Sequence, residues 1–263
     1  MDIDVNNVGY GSDRIRVVDC DTFYRVKPVK YFAINQEMSA IHADMFGCGH
    51  RALLDKEHRA WMIFRTRMYI HNLASWRTGF EAETWCQEGH RLFFPRAVTA
   101  REVGGGPLFE AYNHWIVLDM EQGRPEKPSY LKSRLLFPPT NERWFDPAFP
   151  KFPRQEDFSK GVVSRDKVHM DYYDYDYNRH VNNLSYIDWM MASFPFEHMD
   201  TYYPSFIDVE WKRQCHHGDA LVVETRSKDV NQFLTSIKRI DATGLEEVVF
   251  HAVTHWKKRQ TVV

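Results

Sequence analysis

The chain has 263 residues, 43% of them hydrophobic and 15% aromatic, with a formal net charge of −2 at neutral pH. That length and apolar content suit one large globular domain or two ordinary ones and exclude a disordered chain. The charge balance argues against nucleic acid or an anionic membrane as a partner. The four cysteines (Cys20, Cys48, Cys86, Cys215) lack Cys-x-x-Cys spacing, so a reducing compartment is expected, with no metal and no disulfide framework.

Read along the chain, Met1 to Asn7 is acidic and polar, without the basic and apolar regions of a signal peptide, and no apolar run has membrane length. A cytoplasmic protein is expected, or a plastid one if a transit peptide has been removed. Residues 1–25 read as an N-terminal extension. Lys27–Ile34 then reads as a strand and Asn35–Cys48 as a helix, with Met38, Ile41, Met45 and Cys48 at helical spacing. Strands follow at Trp61–His71, Phe80–Gln87, Arg91–Arg101 and Leu108–Met120, and Gly104-Gly105-Gly106 marks the turn between the last two. Seven of the chain's twelve prolines fall between Glu121 and Pro153, which marks an extended connector assigned to 121–160. Beyond it the order repeats. Val162–Met170 reads as a strand and Asn182–Phe194 as a helix ended by Pro195. Strands follow at Phe206–Arg213, Ala220–Asp229, Gln232–Ile240 and Glu247–Lys257. His114-Trp115 in the last strand of one half answers His255-Trp256 in the other. The expected organisation is an α+β chain of two related halves, 26–120 and 161–263.

The stretch from Asp176 to Tyr186 (Asp-Tyr-Asn-Arg-His-Val-Asn-Asn-Leu-Ser-Tyr) carries the chemistry. In an extended segment alternate residues face one side, so Asp176, Asn178 and His180 project together ahead of the helix. An acid, an amide and an imidazole at a helix entrance can activate water and hold a carbonyl. Each has a plainer reading: Asp-x-Asn often forms a turn, and Asn182 or Asn183 caps the helix. The conjunction of all these positions favours a site.

The pattern Asp-x-Asn-x-His-Val-Asn-Asn-x-x-Tyr resembles the signature of acyl-[acyl carrier protein] thioesterases. The resemblance in layout runs from about Val26 to Lys258. It implies a tandem (double) hot-dog, two long helices each wrapped by an antiparallel sheet. It also implies a cofactor-free thioester hydrolase releasing free fatty acid from acyl carrier protein, which ends fatty-acid elongation. Asp176, Asn178 and His180 would be catalytic. Asn182, Asn183, Tyr186 and Trp61 would bind substrate, and the first half, whose helix entrance reads Ala33-Ile34-Asn35-Gln36-Glu37, would supply a pocket wall.

Val209-Glu210-Trp211-Lys212-Arg213-Gln214-Cys215 is similar to the family's strand Tyr-Arg-Arg-Glu-Cys, with the family's acid replaced by Gln214. Glutamine cannot deprotonate water, so base function falls to Asp176 or His180, with Gln214 positioning water. Cys215 is a nucleophile under an older scheme and a small apolar residue under the favoured one. An acidic carrier protein would be drawn to Lys257-Lys258-Arg259 or to Arg65 with Arg67. The state in solution would be monomer or homodimer. Rival readings are an acyl-CoA or aroyl-CoA thioesterase, an acyl-binding module with an impaired site, and, more weakly, a hydratase.

Overall fold

The computed structural model describes residues 1–139, 141–158, 161–176 and 179–259. Two compact units divide at Pro150 and Lys151. In the first unit the strands are β1 (Asp2–Ile3), β2 (Gly9–Arg14), β3 (Arg59–Ile70), β4 (Gly79–Cys86), β5 (Phe94–Glu102), β6 (Pro107–Asp119) and β7 (Arg124–Pro125), with helices α1 (Pro28–Met45) and α2 (His50–Glu57) between β2 and β3. The antiparallel order is β1-β2-β4-β5-β6-β3, with β7 also on β6. The second unit holds β8 (Val162–Val168), α3 (Asn183–Ala192), α4 (Phe196–Thr201), β9 (Tyr202–Trp211), β10 (Ala220–Ser227), β11 (Gln232–Ile240) and β12 (Glu246–Lys258), ordered β9-β12-β11-β10-β8. In each unit a helix lies on an antiparallel sheet, α1 on β2, β4 and β5, and α3 on β10 and β11. The fold is a tandem hot-dog.

Five expectations change. The stretch expected as a strand at Lys27–Ile34 is helix from Pro28 on, because α1 begins with Pro28 at its first position, where a fixed φ and a missing N–H cost nothing. The buried face of α1 is Tyr31, Phe32, Asn35, Met38, Ser39 and His42, while Ile41 and Met45 are exposed. The polar members of that stripe are paired. Asn35 and Asn113 exchange amide bonds at 2.8 and 3.0 Å, Ser39 bonds the Asn35 carbonyl, and Arg96 donates to His42 Nδ1 at 2.8 Å. Burial at helical period thus holds without an apolar stripe to announce it. α3 has ten residues, fewer than expected. Ser193 turns its hydroxyl back onto the Met190 carbonyl, and Pro195 stops the helix before α4.

The other two changes concern the chain's ends and connector. Residues 9–14 are a strand paired with β4, flanked by buried Val8 and Ile15, so the N-terminal stretch belongs to the sheet. Gly9 permits this: a Cβ there would stand 2.7 Å from the His42 ring. The proline-rich stretch up to Pro150 is packed onto the first unit. Leu131 and Leu135 join the core of Ala43, Cys48, Leu53, Cys86, Phe94 and Val117. The Trp85 indole donates to the Arg143 carbonyl, and Gln87 brackets Phe145 through both backbone groups. Proline removed donors from this segment, and side chains of the sheet replaced the lost ladder bonds.

Candidate active site

His180 and Asp176 are brought together by a closed loop and not by strand alternation. The Asp176 N–H donates to the His180 carbonyl at 2.9 Å, and the His180 N–H returns a bond to Asp176 Oδ1 at 3.3 Å. Arg179, at φ 61°, takes the left-handed conformation that reverses the chain, and its N–H bonds the Asp176 carbonyl. Such a conformation disfavours a non-glycine residue and is commonest where geometry matters to function. Asn178 lies outside the described residues.

The loop leads directly into α3. Asn182 caps the helix, its Oδ1 accepting from the Leu184 N–H at 2.9 Å, and its own N–H is held by the Asp174 carbonyl at 2.7 Å. Asn183 is the first helical residue, and its carbonyl accepts from the Trp211 indole at 3.3 Å. Asn182 is thereby the capping member of the pair.

Gln214 and Cys215 arrive from the loop beyond β9, which ends at Trp211 and not at Arg213. Gln214 Nε2 stands 2.9 Å from His180 Nδ1. The Cys215 carbonyl accepts from the Val181 N–H, and the Cys215 N–H donates to the Tyr186 hydroxyl at 3.1 Å. Burial raises the Cys215 thiol pKa, the opposite of what a thiolate nucleophile needs. Burial lowers that of His180; the nearby Asp176 charge opposes this and His216 adds to it, so the imidazole is neutral at pH 7. His216, with its ring 5.7 Å from that of His180, was absent from the candidates read in the sequence. Its position two residues after Gln214, on a segment already under suspicion, was the available signal.

The same frame exists in the first unit, at residues 19–31 and not at 33–37. There the Asp21 N–H bonds the Arg25 carbonyl, the Arg25 N–H bonds Asp21 Oδ1, and Tyr24 is left-handed at φ 57°. Val26 N–H donates to the Ala74 carbonyl, and the Tyr31 hydroxyl accepts from the Ala74 N–H at 3.0 Å. Each contact has its partner around Asp176, Val181, Cys215 and Tyr186. The side chains differ: Arg25 stands in the place of His180, and Leu73 in that of Gln214. Arg25 bonds Ser75 and the Leu73 carbonyl. The tyrosine clamp common to both frames is therefore structural. Tyr186→Phe should cost about 1–3 kcal/mol by leaving the buried Cys215 N–H unpaired. Urea denaturation measures it, and an unchanged midpoint would show the bond to be dispensable.

The remaining candidates lie in the first unit or at the chain's end. The Trp61 indole donates to the Cys48 carbonyl at 2.7 Å, and its ring meets Phe94 and Trp115 edge-on, which makes it part of that unit's core. Arg65 is buried and bonds the Pro150 carbonyl, while Arg67 stacks over Tyr69 and Phe149, so neither is a free surface charge. Arg259 is held by the Met199 and Tyr202 carbonyls, which leaves Lys257 and Lys258 as the exposed cations of the C-terminal run. Among the described residues no group of three or more His, Cys, Asp or Glu is placed to hold a metal ion. No helix of those residues is long and apolar enough to cross a membrane.

Two family models match. The one described as acyl-ACP thioesterase N-terminal domain covers residues 12–128, and the one described as acyl-ACP thioesterase C-terminal domain covers 159–258. Among curated relatives, the chain is 29% identical over 203 residues to oleoyl-acyl carrier protein thioesterase 1, chloroplastic, of Arabidopsis thaliana, covering 71% of this chain and 54% of the relative. It is 27% identical over 226 residues to the oleoyl-acyl carrier protein thioesterase, chloroplastic, of Coriandrum sativum, covering 80% and 59%. The chain thus spans little more than half the length of these relatives. Among solved structures, the 12:0-ACP thioesterase from Umbellularia californica superposes with a TM-score of 0.83 at 18% identity, covering 96% of this chain and 98% of that one. An acyl-ACP thioesterase from Bacteroides thetaiotaomicron gives 0.80 at 19% identity with the same coverage. These two likenesses bear on the fold.

Proposed function

We propose a function from one premise: the chain belongs to the acyl-ACP thioesterase family. It hydrolyses fatty acyl-[acyl carrier protein] to free fatty acid and carrier protein. The observation that carries this reading is the closed loop of Asp176 and His180, joined by Gln214, at the head of α3 within the segment matched by the family's C-terminal domain.

Hydrolysis of a thioester needs an activated water, stabilisation of the oxyanion and a proton for the departing sulfur. Asp176 and His180 are the carboxylate and the imidazole of the loop, and Asn178 is the amide that the motif supplies to position water or carbonyl. Cys215, buried and protonated, packs as a small apolar residue. Asn182 and Asn183 hold the helix end whose dipole favours a developing negative charge. Lys257 and Lys258 offer the acidic carrier a basic contact, and the setting is cytoplasmic, or plastid as in the names of the plant relatives.

The test is release of free fatty acid by the purified chain from matched panels of acyl-carrier-protein and acyl-CoA thioesters. Faster hydrolysis of the carrier-protein donors is expected. A preference for CoA donors would move the substrate to the rival class. Binding without turnover on either panel would leave an acyl-binding module whose site Gln214 has impaired.

A further inference from the structure

We propose that Gln214 is a positioning residue that fixes the tautomer of His180 with the ring proton on Nε2, making the imidazole a hydrogen-bond donor and leaving Asp176 to take the proton from water. This rests on the thioesterase reading above. Gln214 Nε2 and His180 Nδ1 are in contact at 2.9 Å. An amide nitrogen donates and cannot accept, so Nδ1 must be the bare, accepting nitrogen. A neutral imidazole carries one ring proton, which is then on Nε2. Among the described residues, the groups facing this ring are Asp176 from its own loop, and Gln214 and His216 from the loop after β9. Of these, Asp176 alone is a carboxylate.

The glutamate that the family pattern carries at this position would reverse the assignment. An ionised carboxylate accepts and cannot donate, so it would draw the ring proton to Nδ1 and leave Nε2 as the basic nitrogen. Glutamine and glutamate are nearly isosteric, yet they dictate opposite tautomers of the same histidine. In this chain the proton route follows. The water oxygen bonds to the thioester carbonyl carbon as water gives one proton to the Asp176 carboxylate. The C–S bond breaks, and sulfur keeps the electron pair and takes from Asp176 the proton that water gave up. The Nε2–H of His180 stays on the ring and donates a hydrogen bond throughout. One water and one thioester become one acid and one thiol.

The tautomer can be read without substrate, by long-range proton–nitrogen correlation on the full chain labelled with nitrogen-15 histidine at neutral pH. His180→Gln identifies the signal by its loss. The wild-type ring should be protonated on Nε2 and bare on Nδ1. Gln214→Glu should move the proton to Nδ1 and raise the ring's titration midpoint by about 1–3 units through the added charge. Gln214→Leu should leave an unfixed mixture, a change that a merely structural role would not produce. A wild-type ring protonated on Nδ1, as a flipped amide would require, overturns the inference, as does a Gln214→Glu ring of unchanged tautomer. Hydrolysis of acyl carrier protein by a chain whose ring carries Nδ1–H overturns this inference alone. An Nε2–H ring in a chain without hydrolysis overturns the functional reading instead.

Discussion

Replacing His180 by alanine is expected to lower kcat for acyl-carrier-protein hydrolysis by about 10²- to 10⁴-fold, with KM little changed. The imidazole is half-buried and its Nδ1 meets Gln214, while the loop that carries it is closed by backbone groups and by Asp176. Removing the ring thus takes away a hydrogen-bond donor of the reaction without dismantling the loop, and the melting temperature should stay near that of the wild type. Asp176→Ala differs in kind, because Oδ1 accepts the His180 N–H and the loop would lose its closing bond along with its acid. Asn178→Ala is expected in the same range of rate loss on the strength of the motif. Single-turnover and steady-state kinetics on one acyl-carrier-protein substrate check all three. Near-wild-type kcat in His180→Ala would remove the imidazole from the reaction and with it the donor role assigned to Nε2.

Much of the fold was legible where side-chain period and backbone agree. Gln232–Ile240 is a strand with the bounds its sequence indicates, and Leu108–Met120 differs by one residue at each end. Both are runs of β-branched and aromatic residues bounded by turn formers, and the Gly104 turn between β5 and β6 has the positive φ, 67°, that its glycine permits. The start of α1 was misread because Tyr31, Phe32 and Ile34 resemble a strand, and the signal that decides the matter is a single proline at the first helical position. Its buried face was misread because Asn35, Ser39 and His42 look like surface until their partners Asn113 and Arg96 are known, and those lie far away in sequence. The candidate site divides in the same way. Asp176 and His180 are near neighbours in the chain, so a short motif exposes them. The contact with Gln214 spans 34 positions, and only family resemblance suggested it. The duplicate frame around Asp21, Arg25 and Tyr31 was hidden because what repeats is backbone bonding, while the side chains that would reveal it have changed.

Mild acid should destabilise this protein well before its carboxylates titrate. His42 is fully buried, bonded by Arg96 at Nδ1 and bonded to the Asn7 carbonyl through Nε2, and burial with the Arg96 charge pushes its pKa down to about 3. His114 is stacked between Phe93 and Phe149 and bonded to the Pro147 carbonyl. Burial brings it to about 4 against that bond, with Arg65 and His90 assisting. His251, stacked on Phe152, is likewise lowered to about 4 by burial and by Lys212 and Lys238. Unfolding exposes each ring to water, where it titrates near 6.5. Between the folded and unfolded pKa values the unfolded chain binds more protons, so stability rises with pH there. The contribution of these neutral rings is complete above about pH 6.5 and is lost progressively as pH falls towards 4. For the two most buried, His42 and His114, the slope reaches about 1.4 kcal/mol per pH unit each. Over two units that approaches the whole stability of a typical domain, about 5–15 kcal/mol. Carboxylates such as Glu224 behave differently. Its burial opposes ionisation, but bonds from Arg226, Arg165 and Lys238 hold it below the usual range, so its contribution is lost only at lower pH. Calorimetry in buffers of different ionisation enthalpy should find about two to three protons taken up on unfolding near pH 5. His114→Phe, which keeps an aromatic ring between Phe93 and Phe149, should reduce that uptake by about one. A melting temperature flat from pH 6.5 to 5, or an uptake unmoved by His114→Phe, would show that these rings are protonated in the folded protein.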